Sequence, residues 1–449
     1  MSIEPSGIEA QIEAWRAYLQ KRAALAGNDV EELEDHLRGQ IGTLRTAGLE
    51  DDEAFLVAVK RVGALDDVSR EFAREHSDRL WKQLVVPSRA ADAWLSREFL
   101  VVIGLAIAAA VSVKLPELFG IHLLEENLAY PRNASLFVLP WLTGYFLWKR
   151  GASLALAAAL VPAFAAAALF ANVYPFEAEA HTEVLTILHL PIALWLVVGV
   201  AYAGGRWRDH ALRMDFVRFT GELAIYYALI AFGGGVLTGI TVGMFEAIGL
   251  NPEDPVLGWL LPCGAAGAIL VASWLVEAKQ SVVENMAPVL TRLFTPLFVA
   301  TLLTFLVAML WTGERIERDV LIVFDLLLVV VMGLLLYSIS ARESEAPPDL
   351  FDWMSIALLA TALVVDVVAL ASIAGRITDF GFTPNRIAAL GENVLLLAHL
   401  AGSAVLYLKF VRGSTTFERV ERWQTRYLPL YPVWAALVVV LFPPLFGFE

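Results

Sequence analysis

Asp319-Val320-Leu321-Ile322-Val323-Phe324-Asp325-Leu326-Leu327-Leu328-Val329-Val330-Val331-Met332-Gly333-Leu334-Leu335-Leu336-Tyr337-Ser338-Ile339-Ser340 is nearly unbroken hydrocarbon, interrupted inside the run by the single carboxylate of Asp325. As a helix it extends about 33 Å, enough to cross the ~30 Å apolar core of a bilayer. A surface helix of a water-soluble protein keeps a broad polar face, and this stretch has none. Similar runs lie near 98–118, 134–149, 151–173, 184–204, 217–247, 255–277, 289–311, 352–375, 384–409 and 429–447. Roughly eleven spans are therefore predicted. In lipid every backbone N–H and C=O must be satisfied internally, and the two-residue alternation of a membrane barrel is missing, so each run is expected to be helical. The fold class is all-α, a polytopic transmembrane bundle over residues 98–449.

Composition agrees: 58% of the 449 residues are hydrophobic and only 18% charged, and the charges crowd into the first ninety residues and the gaps between apolar runs. A formal net charge of −14 excludes nucleic acid as a partner, because phosphate neutralisation needs clustered cations. The lone Cys263 excludes an intrachain disulfide or a cysteine zinc site. Met1-Ser2-Ile3-Glu4-Pro5 lacks the basic and apolar regions of a signal peptide, so the N-terminus is expected to stay cytoplasmic.

The first 85 residues read as a small soluble helical domain, joined to the spans by a linker over 86–97. Ile8, Ile12, Trp15 and Leu19 line one helix; Val30, Leu33, Leu37, Ile41 and Leu44 a second, ending before Gly48; Phe55, Leu56, Val59 and Val62 a third, opened by Asp51 or Asp52. A fourth is expected from Asp66 or Asp67 through Phe72 towards Trp81. Glu31, Glu32, Glu34, Asp35 and His36 spread around their helix instead of converging, which fits a solvated acidic face and no metal site. The run Glu31-Glu32-Leu33-Glu34-Asp35-His36-Leu37, with Ala47-Gly48-Leu49, Glu53-Ala54-Phe55, Val62-Gly63 and Glu71-Phe72-Ala73, resembles the permease prefix domain, also called the HAAS domain, of bacterial multi-spanning proteins. The resemblance implies a cytoplasmic module of regulation or protein interaction, with a protein partner engaged through residues 1–85.

With that domain inside, alternate loops carry seventeen Lys and Arg on the inner side, among them Lys149, Arg150, Arg206, Arg213, Arg218, Arg342, Arg422 and Arg426, against six outside. The asymmetry predicts an inner-membrane protein with N-terminus in and C-terminus out. Gly235, Gly239 and Gly243 form a small-residue stripe on the fifth span that fits internal helix packing, a dimer face or a hinge. Thr415 or Thr416 is expected to cap a short helix, with Phe417, Val420 and Trp423 apolar, on the inner membrane surface.

Ionisable groups within spans are costly and mark function until a partner explains them. They are Glu222 and Glu246 in the fifth span, His189 in the fourth, Asp325 in the eighth, Asp366 in the ninth, and Glu392 and His399 in the tenth. Glu392 and His399 stand seven residues apart, two turns, so one face of the tenth span holds a carboxylate and an imidazole that could relay protons or could pin helices together. At the outer end, Thr383 and Pro384 read as N-cap and first helical residue, and Arg386 in the first turn opposes the helix dipole, so an ion pair with Asp379 is expected, with an anion-binding pocket as the alternative.

Phe380-Gly381-Phe382-Thr383-Pro384-Asn385-Arg386, Glu392-Asn393, Arg422-Trp423-Gln424-Thr425-Arg426-Tyr427-Leu428-Pro429 and Phe442-Pro443-Pro444-Leu445-Phe446-Gly447-Phe448 resemble an uncharacterised bacterial family of multi-spanning proteins, a domain of unknown function. That resemblance implies architecture and no chemistry. Zinc-hydrolase, phosphate-loop and serine-elbow motifs are all missing, so no enzyme, cofactor or metal is expected. Two function classes remain: a permease-like transporter using the buried acids, and a membrane-anchored regulator or sensor using the prefix domain, either one open to forming a homo-oligomer.

Overall fold

Apolar residues at three- and four-residue intervals must share one helix face, and the computed structural model of the chain places them so. It describes residues 7–20, 27–46, 49–62, 97–123, 128–177, 180–247, 251–278, 287–312, 318–342 and 344–449. The chain divides into two compact units, Met1–Ser96 and Arg97–Glu449.

In the first unit, α1 (Gly7–Gln20), α2 (Gly27–Thr46) and α3 (Asp51–Val62) enclose a core of Ile8, Ile12, Trp15, Leu37, Ile41, Leu44, Ala54, Phe55, Ala58 and Val59. Asp51, Asp52 and Glu53 occupy the first turn of α3, where negative charge complements the helix dipole. Arg38 reaches from α2 to hold both oxygens of Glu9 at 2.8 Å and Glu34 at 3.0 Å. The guanidinium keeps the Glu9 carboxyl below the usual range for glutamate. The expected fourth helix and the Gly48 cap lie outside the described residues.

The second unit is built of helices joined by short connections, with no strand among its described residues; a 3-10 turn at Leu115–Phe119 and a π-helical turn at Val256–Leu260 interrupt the α-helices. It comprises α4 (Arg97–Lys114), α5 (Ala129–Lys149), α6 (Leu154–Val173), α7 (His181–Tyr202), α8 (His210–Ala247), α9 (Leu261–Ala278), α10 (Ala287–Thr312), α11 (Arg318–Ala341), α12 (Leu350–Phe380), α13 (Pro384–Val411), α14 (Phe417–Tyr427) and α15 (Leu430–Leu445). Every predicted run overlaps a helix, and among the described residues nine segments are long and apolar enough to cross a membrane, with α5 and α10 outside that set. The two that differ are instructive. α5 carries Arg132, Asn133 and Lys149 and buries Tyr130, Tyr145 and Phe146 inside the bundle, so it need not be apolar all round. α10 enters with the shorter apolar stretch Phe294–Thr304 among the described residues, while its sequence over 289–311 carries no charge except Arg292.

The outer surface is hydrocarbon: Leu154, Phe232, Leu237, Leu326 and Val367 are all more than half exposed, as helices facing lipid require. Ion pairs tie the helix ends at one side. Glu98 at the start of α4 meets Lys149 at the end of α5 at 2.6 Å, and Glu277 near the end of α9 meets Lys149 at 3.4 Å and Arg150 at 3.0 Å. α4 and α5 therefore run antiparallel, and α5 and α9 end on the same side.

Inside, two large hydrophobic cores divide the unit, with a small third of Leu185, Ala388, Val438 and Phe442 joining α7, α13 and α15. One gathers α4–α9 around Tyr145, Phe146 and Phe219; the other gathers α10–α14 with the start of α8 around Phe324, Leu358, Tyr407 and Phe417. Close helix approach does not occur at the predicted glycines. Gly235, Gly239 and Gly243 are exposed, with no atom of the described residues within 4 Å of the place a Cβ would occupy, so no described helix packs on them. Gly391 and Gly402 of α13 instead lie hard against the indoles of Trp434 and Trp423.

Candidate functional site

Buried polar side chains need partners, and α13 shows where this unit supplies them. The helix opens as expected: the Thr383 hydroxyl accepts from the Arg386 N–H at 3.4 Å, and Pro384 occupies the first helical position. Arg386 does not pair with Asp379, which is exposed. Its Nη1 donates to the carbonyls of Phe380 and Gly381 at 3.0 and 2.8 Å. Those oxygens belong to the C-terminus of α12 and its cap, where carbonyls without helical partners and the negative dipole end attract a cation.

Nearly two turns deeper lies a polar cluster built by four helices. Glu392 of α13 hydrogen-bonds His189 Nε2 of α7, and His189 Nδ1 bonds the Leu185 carbonyl at 2.8 Å. A carbonyl only accepts, so Nδ1 carries a proton and Nε2 has one only when the ring is an imidazolium. The Glu392–His189 contact thus holds one proton, on carboxyl or imidazole; without it, two lone pairs would face each other. Beside this pair, Asn393 donates to Asp325 of α11 at 2.8 Å. Asp325 lies within electrostatic range of both Glu392 and Asp366 of α12. Asp366 is fully buried, and neither of its oxygens has a hydrogen-bond partner among the described residues.

Helix rise converts sequence position into depth. Counting from the end that carries Thr383, His189, Asp325 and Glu392 lie about 10–12 Å in, and Asp366 and His399 about 21–23 Å in. The deeper layer continues the polar path. His399, fully buried, bonds the Tyr431 hydroxyl at 2.9 Å and stacks on Tyr427 at 4.5 Å between centroids. Ser403, about 28 Å in, donates to the His399 carbonyl at 2.8 Å and shares a bond with Gln424 of α14 at 3.0 Å. Thr425, next in the chain, meets His210 Nδ1 of α8 at 2.6 Å, and its carbonyl accepts from Arg213 at 2.7 Å. Asn393, His399, Ser403, Gln424 and Thr425 are all fully buried. A file of hydrogen-bonding groups, in which the carboxyls, imidazoles and hydroxyls can give and take protons and the amides of Asn393 and Gln424 only hold their neighbours, therefore extends over a distance comparable to the hydrocarbon thickness.

Of the residues singled out in the sequence, His189, Asp325, Asp366, Glu392 and His399 meet in this file. Glu392 and His399 do not contact each other directly; each has found a partner on another helix. Glu222 stands apart, buried beside a polar cavity of about 510 Å³ that also involves Arg150, Arg206 and Arg218. Glu246 is exposed near the end of α8. The helix expected on the membrane surface, α14, turns Phe417, Val420 and Gln424 inward against the bundle, and the Thr416 side chain makes no cap bond. Gln424, Ser403 and Tyr431 were missed. Gln424 follows Phe417 and Val420 at helical spacing, so an amide on an apolar face was the available signal.

Comparison with protein families, with curated proteins and with solved structures finds no match.

Proposed function

We propose that the chain is a permease-like inner-membrane transporter that moves protons, alone or coupled to a solute, along the file from Glu392–His189 through Asp325 and Asp366 to His399–Tyr431 and Ser403–Gln424. The observation that carries the reading is Asp366: a carboxyl group with no hydrogen-bond partner among the described residues, at mid-depth in an apolar bundle and within electrostatic range of Asp325. Such a group costs several kcal/mol unless its burial serves function. On this reading the cation-rich ends face the cytoplasm, with the N-terminus inside, the C-terminus outside, and residues 1–85 acting as a prefix module that binds a cytoplasmic protein.

The test is proton flux in proteoliposomes loaded with a pH-sensitive dye, comparing the full chain with one lacking residues 1–85. Flux in both forms is expected. Absence of flux in both, with loss of a captured cytoplasmic partner on truncation, would replace transport by regulation.

A further inference from the structure

A cavity of about 800 Å³ opens where the two hydrophobic cores part, between α7 and α8 on one side and α10, α11 and the α14–α15 junction on the other. Its size lies within the ~300–1,000 Å³ of small-molecule clefts. The wall is almost wholly apolar, formed by residues such as Pro191, Trp195, Phe216, Val330, Leu428 and Tyr431. The polar groups of Trp195 and Thr220 in that wall are already spent: Trp195 Nε1 donates to Thr220 at 3.2 Å, and Thr220 donates to the Phe216 carbonyl at 2.8 Å. The Tyr337 hydroxyl is the one buried lining oxygen with no partner among the described residues, and a single hydroxyl in so apolar a wall does not make a polar site. Three lining residues, Ile192, Phe294 and Val330, are also 40–46% exposed on the lipid-facing surface, so the mouth opens sideways into the bilayer.

At the end of the cavity nearest the start of α8 the chemistry changes. Arg213 precedes the lining residues Phe216 and Val217 by three and four positions and so shares their helix face. It spends one donor on the Thr425 carbonyl, while its Nε is buried with no partner among the described residues. Arg426 lies within electrostatic range of Arg213, two residues before the lining residue Leu428.

We infer that this cavity is a binding site for an anionic phospholipid of the surrounding bilayer, with an acyl chain in the apolar cleft and the phosphate on Arg213 and Arg426. A chain moving from bilayer to cleft exchanges one hydrocarbon environment for another and gains little. The headgroup must therefore supply the selectivity. Two cations at the membrane surface correspond to a preference of about 30-fold for an anionic over a zwitterionic lipid. Tyr431 lines the cleft and also bonds His399, so the acyl chain would rest on a member of the polar file. The site itself stands independently of proton transfer.

Gly333 provides the blocking variant: it lines the cleft, and a Cβ built there meets nothing within 4 Å. The full-length protein is extracted from vesicles of equal phosphatidylglycerol and phosphatidylcholine, and retained lipid is counted by native mass spectrometry. Wild type is expected to retain phosphatidylglycerol, Arg213→Gln/Arg426→Gln to lose the headgroup preference, and Gly333→Leu to lose the lipid. Equal retention of both lipids by wild type, or wild-type retention by Gly333→Leu, would overturn the site. If Gly333→Leu does not fold, quenching of Trp195 fluorescence by brominated-chain phosphatidylglycerol, read against Trp195→Phe, takes its place; no Trp195-dependent quenching is then the contrary result.

Discussion

Gly402→Ala is expected to be among the most damaging small substitutions in the membrane unit. An added methyl would stand 2.2 Å from Cζ2 and 2.4 Å from Cε2 of Trp423, distances no packed atoms tolerate. Trp423 cannot simply swing away, because its Nε1 donates to the His399 carbonyl at 3.2 Å and its ring lies 5.3 Å from Tyr427. Overpacking of this kind costs about 1–3 kcal/mol, and losing the indole bond adds roughly 1 kcal/mol, for a total of about 2–4 kcal/mol. Gly239→Ala is the matched control: nothing lies within 4 Å of its Cβ position, and replacing a helical glycine by alanine stabilises by up to about 1 kcal/mol. Reversible unfolding in mixed detergent micelles, followed by circular dichroism, measures both. Equal stability of the two variants would refute the close packing of α14 on α13.

At the α12–α13 corner, Arg386→Ala should cost about 1 kcal/mol through the two carbonyl bonds, whereas Asp379→Asn should leave stability unchanged; the same unfolding assay separates them. In the N-terminal unit, Arg38 holds the Glu9 carboxyl below its ordinary range. The stabilising contribution is therefore present above the ordinary glutamate pKa and is lost as pH falls through the lowered value. Protease resistance of residues 7–62 in the full chain should fall on acidification over that window, and Arg38→Gln should flatten the dependence.

The helices were legible because a bilayer leaves no other backbone solution, and hydropathy alone marks where they run. The count of spans was less legible. Hydropathy cannot distinguish a helix that faces lipid from one such as α5, which is surrounded by protein and tolerates Arg132 and Asn133. Intramembrane acids were legible for a similar reason: Asp325, Asp366 and Glu392 stand out against apolar runs. Their partners were not, since His189 is 203 positions from Glu392 and only packing of α7 against α13 joins them. Of the roles open to the Gly235–Gly243 stripe, packing inside this unit is the one the structure does not show, because spacing permits an approach without showing that a helix arrives. Gly391 and Gly402 show no such repeat, yet each receives a tryptophan from the following helices.

The central claim is that the buried carboxyls carry protons, and proton flux of Asp366→Asn and Glu392→Gln in proteoliposomes tests it most directly. Asparagine and glutamine preserve shape but cannot exchange a proton at neutral pH, so flux in each variant should fall to the level of empty liposomes while the protein still reconstitutes as a folded species. Flux equal to wild type in both variants would contradict the account.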